Sequence, residues 1–154
     1  MAKDFGGFIL PELLAAVICL SGALAVCLFQ VNYGSLLYIL QVRTAAAGLA
    51  GELREMQRCS MFKSSVNGDI VKIIVDVDGY TVFNGLKLYK SVNFVDKGRK
   101  GVYFAQKIPV LRFTAAGSPS LSGTYVLRHR QLDKFSCRLS VEPVTGRVTV
   151  VEGK

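Results

Sequence analysis

Between Phe8 and Val42 only one side chain is charged, the carboxylate of Glu12, and it directly follows Pro11. A carboxylate in so apolar a run needs a cation or a strong hydrogen-bond donor beside it. Elsewhere, residues that could do chemistry are sparse. His129 is the one histidine, and the chain contains no Cys-x-x-Cys, no Walker loop, no Gly-x-Ser-x-Gly and no His-Glu-x-x-His. His129 falls on the Tyr125 and Leu127 side of its segment, the position of a packed side chain. Asp76 and Asp78 offer two oxygen ligands where Ca²⁺ takes six to eight, so they read as turn carboxylates. No enzyme, metal site or cofactor is expected.

The four cysteines divide by setting. Cys19 and Cys27 lie in the apolar run and read as small fillers. Cys59 closes a helical stretch and Cys137 lies on the inward side of a strand, so the two are expected to approach in the core, as buried thiols or as a disulfide. Basic residues are plentiful. Lys87, Lys90, Lys97, Arg99, Lys100 and Lys107 surround the middle strands, while Arg128, Arg130, Arg138 and Arg147 point outward from the last three. With Tyr89 and Tyr103 nearby, such patches bind phosphates in a salt-dependent way. The plainer alternative is a solvated basic face or a contact for acidic neighbours.

These residues are carried by two contrasting parts. The chain has 154 residues with 19 Lys/Arg against 11 Asp/Glu. Only Lys3, Asp4 and Glu12 precede Arg43, which leaves 18 against 9 from there on, a net charge of +9 on the body that follows a greasy stem. Three readings of the stem compete. A secretory signal peptide has Ala23-Leu24-Ala25 as its cleavage signal, but Glu12 breaks its apolar core and the apolar run continues past the cut. A membrane anchor is long enough, since about 20 residues cross the hydrocarbon core, yet it leaves Glu12 unexplained. The third reading is a cut between Gly7 and Phe8. Phe8 then begins a helix whose first four N–H groups lack acceptors, and Pro11 is the last position where a missing N–H costs nothing. Glu12 then sits at the positive end of the helix dipole, one turn from a new α-ammonium.

Beyond Phe29 the apolar spacing continues through Leu49, Leu53 and Met56, which predicts one long helix from Phe8 to about Arg58, roughly 75 Å in length. After Cys59 the period changes to that of strands. "DIVKIIVDV" and "YTVF" flank a turn at Asp78-Gly79. "LKLYKSVNFV", "GVYFAQ", "PVLRFTAAG" and "GTYVLRHR" follow, and "KFSCRLSVE" and "GRVTVVE" form a final hairpin. In that hairpin Phe135, Cys137, Leu139 and Val141 share a face with Val148 and Val150.

The stretch Gly7-Phe8-Ile9-Leu10-Pro11-Glu12-Leu13-Leu14 resembles the processing motif of type IV prepilins and type II secretion pseudopilins. "VLRFTAAGSPSLSGTYVL" followed by "KFSCRLSVEPVTGRVTV" is similar to the C-terminal region of the GspH/FimT-like group of minor pilins. The resemblance implies an α+β, type IV pilin-like fold, with a long N-terminal helix packed on a mostly antiparallel β-sheet head. It implies a leader over residues 1–7, a transmembrane and filament-core half-helix over 8–29, an amphipathic half over 30–59 and a globular head over 60–154. By the same resemblance a prepilin peptidase cuts between Gly7 and Phe8, Phe8 is N-methylated, and Glu12 contacts the amino terminus of an adjacent subunit. The expected partners are other pilin or pseudopilin subunits, the peptidase, the inner-membrane assembly platform and the membrane itself. The chain is expected to be a single-pass inner-membrane protein, N-terminus cytoplasmic, before it enters a type IV pilus, competence pseudopilus or type II secretion pseudopilus. Some FimT-like pilins are associated with DNA uptake through a basic C-terminal segment, which makes a DNA-binding tip subunit the alternative. Here Thr149 follows Gly146-Arg147-Val148 where a second arginine is wanted.

Overall fold

Leucine, alanine and valine fill the stretch after Glu12, and the one proline lies where a helix tolerates it, in the first turn. The computed structural model describes residues 9–30, 33–67 and 71–153, and over the first of these ranges it has a helix, α1 (Ile9–Gln30). A second helix, α2 (Tyr33–Asn67), follows. The chain divides into two units, Met1–Leu36 and Leu37–Lys154. The expectation of a single helix ending near Arg58 is corrected at its far end, because α2 runs on to Asn67. Ser60, Ser64 and Ser65 suggest a loop there, but the Ser60 hydroxyl is buried and donates back to the Met56 carbonyl at 2.9 Å, which lets the helix absorb it. Asn67-Gly68 is the stop signal that ends the run.

Within the second unit, one face of α2 is buried at Val42, Ala45, Ala46, Leu49, Ala50, Leu53 and Met56. The spacing is the predicted stripe, widened by alanines that let the helix backbone lie close to the strands. Eight strands follow: β1 (Val71–Val75), β2 (Gly79–Asn84), β3 (Lys87–Asn93), β4 (Val102–Gln106), β5 (Val110–Arg112), β6 (Gly123–His129), β7 (Leu132–Val141) and β8 (Val148–Gly153). They form two four-stranded sheets in the orders β3-β2-β1-β5 and β4-β6-β7-β8, with every pairing antiparallel. The split into two sheets is not visible in the strand pattern. It arises because β5 returns to β1, with Leu111 opposite Ile73, while β4 skips β5 to pair with β6.

The sheets are joined through a turn and through a row of rings. The turn after β1 is closed by the Asp76 N–H donating to the Gly79 carbonyl, and its Val77 carbonyl accepts the Phe104 N–H of β4, each at 2.9 Å. A chain of rings then crosses the core from Tyr80 to Phe94, Phe104 and Tyr125, with successive centroids 6.3, 5.4 and 6.1 Å apart. The final hairpin keeps the predicted register, Leu139 opposite Val150 and Val141 opposite Val148. One position further, the pattern turns polar: Glu152 lies opposite Cys137 and takes Arg43 of α2 in an ion pair of 2.6 Å.

Two core tyrosines set the response to alkali. Burial pushes the Tyr80 phenol up to about 12, reinforced by Glu52 and opposed by Arg99. Burial alone pushes Tyr125 higher still, and among the described residues its hydroxyl has no hydrogen-bond partner. Both phenols are neutral in the folded state, whereas in the unfolded chain they ionise near pH 10. Their contribution is therefore intact below pH 10 and is lost as pH rises toward about 12. Each ionisation confined to the unfolded state removes about 1.4 kcal/mol per pH unit over that window. Tyr125→Phe is expected to halve this alkaline slope. At neutral pH it should leave stability unchanged or raise it by up to about 1 kcal/mol, because it deletes an unpaired buried hydroxyl. Denaturant titration of both proteins at pH 7 to 11 measures each effect.

Candidate functional site

The most unusual surface belongs to α1. Leu13, Leu14, Val17, Ile18, Leu20 and Leu24 are each more than half exposed, and Cys19 and Cys27 are exposed with them. The window Pro11–Leu28 has a mean hydropathy of 2.1 and the length to cross a membrane, and none of it is buried. A helix that is apolar all round and uncovered by its own chain is built for lipid or for other helices. Glu12 lies in its first turn, exposed. There its carboxylate is favoured by the helix dipole and is open to a cation outside the chain. Gly7 and Phe8, the expected cleavage and methylation positions, lie outside the described residues.

In the head, the one histidine is a structural joint. His129 is buried, and its ring stacks on Tyr38 of α2, with centroids 4.1 Å apart and planes 16° apart. Its Nδ1 accepts the Gln131 backbone N–H at 3.1 Å. The proton is thereby assigned to Nε2, which donates to the Lys100 carbonyl at 2.9 Å. Gly101, at φ +95°, lies against the same ring: a Cβ there would stand 2.8 Å from Nε2. Helix, strand and loop thus meet at an imidazole whose two nitrogens are both engaged, a role without catalysis.

The four outward arginines do not form one patch. Arg128 and Arg138 share a face, Arg128 lying opposite Tyr103 and Ser136 while Arg138 lies opposite Val126 and Val151. The buried Nε of Arg128 has no partner among the described residues. The register then shifts between Arg128 and His129, and β6 ends. Arg130 consequently leaves the face and pairs with Asp78 at 3.2 Å. Arg147 precedes β8, exposed, its N–H donating to Thr145 Oγ1. Of the acidic pair considered for Ca²⁺, Asp78 is engaged by Arg130. Asp76 accepts the Val77 N–H and lies 3.5 Å from Lys107, contacts that hold its carboxyl below the usual range. No cluster of three or more His, Cys, Asp or Glu suited to a metal occurs among the described residues.

Cys59 and Cys137 are not joined; of the two expected states, the structure has separate thiols. Cys137 faces Glu152 and the Arg43 end of α2. Cys59 is sixteen residues after Arg43, about 24 Å along the helix, where it lines a cavity with Met56, Val71, Val82 and Tyr89. A disulfide needs Cα atoms within about 7 Å. The inward direction of Cys137 was legible, but the heights of the two cysteines along the helix were not. A further contact was missed entirely. Gln57 of α2 donates through Nε2 to the Gly117 and Thr145 carbonyls at 2.9 and 2.7 Å, fastening two loops to the helix. Gly146, at φ +65°, packs so closely there that a Cβ would meet the Gly117 oxygen at 2.5 Å. The paired loop glycines were the available signal.

No protein-family model matches the chain, and no curated protein matches it by sequence. Among solved structures it is similar to the crystal structure of the type IV minor pilin FimU of Pseudomonas aeruginosa, at 14% identity and a TM-score of 0.52, over 71% of this chain and 91% of that one. The shared architecture and the uncovered apolar helix lead to one statement of kind: this chain has the type IV pilin-like fold.

Proposed function

We propose that the chain is a minor pilin or pseudopilin, a structural subunit held in the membrane by α1 and drawn from it into a filament through that same helix. The observation that carries this reading is the pairing of an all-round apolar, uncovered α1 with one carboxylate in its first turn, on a chain with a pilin-like fold. In this reading prepilin peptidase removes residues 1–7, Phe8 becomes the methylated amino terminus, and Glu12 meets the terminus of a neighbouring subunit at the assembly platform. The head is extracytoplasmic. The subunit serves a filament of the type IV pilus, competence or type II secretion kind. A DNA-receptor reading has less support, because Asp78 engages Arg130, and of the four arginines Arg128 and Arg138 are the two that lie within strands, on one face.

N-terminal mass analysis of the mature protein tests the proposal. A mature chain beginning at Phe8, with one added methyl group, is the expected result. Replacing Gly7 with a bulky residue should leave the leader attached. A mature start at Met1, Ala2 or Val26 removes the basis of the pilin reading.

A further inference from the structure

The start of the second unit carries a charged collar that neither the core nor the proposed filament helix uses. Two loops are fastened to the same stretch of α2, Tyr38 to Arg43. The loop between β3 and β4 is held there by Gln41 Nε2, which donates to the Gly98 carbonyl at 3.4 Å, and by the bond from His129 to Lys100 beneath Tyr38. The β6–β7 turn lies alongside, its Arg130 N–H donating to the Gly101 carbonyl, and Lys134 lines a groove with Ile39 and Arg43. The β3–β4 loop carries Lys97 and Lys100, both exposed, with Arg99 half-buried between them, and the start of β7 adds the exposed Lys134. No ion pair among the described residues involves any of the four. Asp96 is the one described carboxylate on the β3–β4 loop, while Arg43 and Arg130 are already matched by Glu152 and Asp78. Beside the collar, Leu37 and Leu40 are 57% and 56% exposed on α2.

We propose that this collar docks the head on anionic lipid headgroups while the chain is membrane-tethered. The inference rests on the membrane reading of α1 and extends it to the head. Chain connectivity supplies the reach: Leu37 is nine residues past Leu28, the end of the apolar window, hence within about 30 Å of it even if the link were fully extended. The chemistry supplies the occupant. Lys and Arg without an ion pair among the described residues, beside exposed leucines, match an anionic interface, with the leucines at the level of the acyl boundary and the cations among the phosphates. Docking so holds the head down until a filament draws α1 out of the bilayer, and salt weakens it.

The sequence contains no tryptophan, so Val95→Trp, at an exposed position on the β3–β4 loop, gives the full-length chain a single reporter. The chain is reconstituted in vesicles of brominated phosphatidylcholine, with or without about one-third phosphatidylglycerol, and carbonate extraction first establishes that it is inserted. Tryptophan quenching is expected only in the anionic vesicles and should be relieved by high salt. Combining Lys97→Ala, Lys100→Ala and Lys134→Ala should lower the docked-to-undocked ratio on the order of a hundredfold. Equal quenching in neutral and anionic vesicles, quenching in neither, or quenching that survives both high salt and the triple substitution overturns the proposal. Quenching abolished by stoichiometric DNA at low salt would assign the collar to nucleic acid and overturn it too. Failure of carbonate-resistant insertion removes the membrane reading itself, a result distinct from the others. Should the triple variant not fold, the salt and lipid arms on the otherwise unaltered chain still decide.

Discussion

Glu12→Val is expected to leave the chain in the membrane and to remove it from filaments. The carboxylate is the only charge in a run that is otherwise apolar from Phe8 to Val42, so deleting it makes insertion easier, by at most about 3 kcal/mol for a residue near a helix end. Loss of assembly must then come from a contact outside the chain. Glu12 is exposed in the first turn of α1, where the helix dipole helps but no ion pair among the described residues involves it. In the proposed filament its partner is a neighbouring subunit's amino terminus in a low-dielectric bundle. Leaving that ammonium unmatched costs about 3 to 5 kcal/mol. Crosslinking to other pilin subunits should therefore fall at least about tenfold, while carbonate-resistant membrane content is unchanged. Glu12→Gln separates charge from hydrogen bonding: it should fail nearly as badly if the partner is a cation. Undiminished crosslinking in Glu12→Val would show that Glu12 is no assembly contact.

What could be read from the residues divides along physical lines. Periodicity carried the local structure well. The stripe Leu49, Leu53, Met56 is buried as spaced, and the alternation from Phe135 to Val141 faces the core with the predicted register across the last turn. Both signals depend only on neighbours a turn or a pleat away. Contacts set by long-range geometry were opaque. Nothing in the sequence of β4 and β5 says that one joins β6 and the other β1, because each is a short apolar strand that fits either sheet. Cys137 is buried on the inward face that alternation gave it, yet Cys59 is half-buried on the far part of α2 while Cys137 lies near Arg43. The arginines show a third limit: a register shift between Arg128 and His129 precedes the pairing of Arg130 with Asp78, and alternation cannot foresee a bulge. The assembly features differ again. The proposed roles of Gly7, Phe8 and Glu12 rest on a motif in local sequence, which needs no fold to be recognised and on which the fold is silent.

Gly101→Ala is expected to destabilise the head strongly, and the contrast with Gly98→Ala shows why. Both glycines lie in the same loop at positive φ, +95° and +71°, where an L side chain costs about 1 kcal/mol or more. At Gly98 an added Cβ finds nothing within 4 Å, so the backbone penalty is the whole effect. At Gly101 the same atom would stand 2.8 Å from His129 Nε2 and 3.0 Å from Cε1, and something must move. The ring is the only candidate, since the loop is fixed by the Arg130 N–H donating to the Gly101 carbonyl at 2.8 Å. The ring has no free direction either, being stacked on Tyr38 and bonded through both nitrogens. Displacing it strands the Lys100 carbonyl and the Gln131 N–H and loses the stack, at about 1 kcal/mol for each bond and 0.5 to 1.5 for the rings. Gly101→Ala should thus cost about 3 to 5 kcal/mol against roughly 1 for Gly98→Ala, a large part of the 5 to 15 typical of a domain. A double-mutant cycle isolates the cause. In a His129→Ala background the obstruction is gone, so Gly101→Ala should then cost no more than Gly98→Ala does. Thermal or denaturant unfolding of the detergent-solubilised chain, followed by circular dichroism, gives all four values. Additive costs for Gly101→Ala and His129→Ala would mean that the imidazole is not what the glycine makes room for.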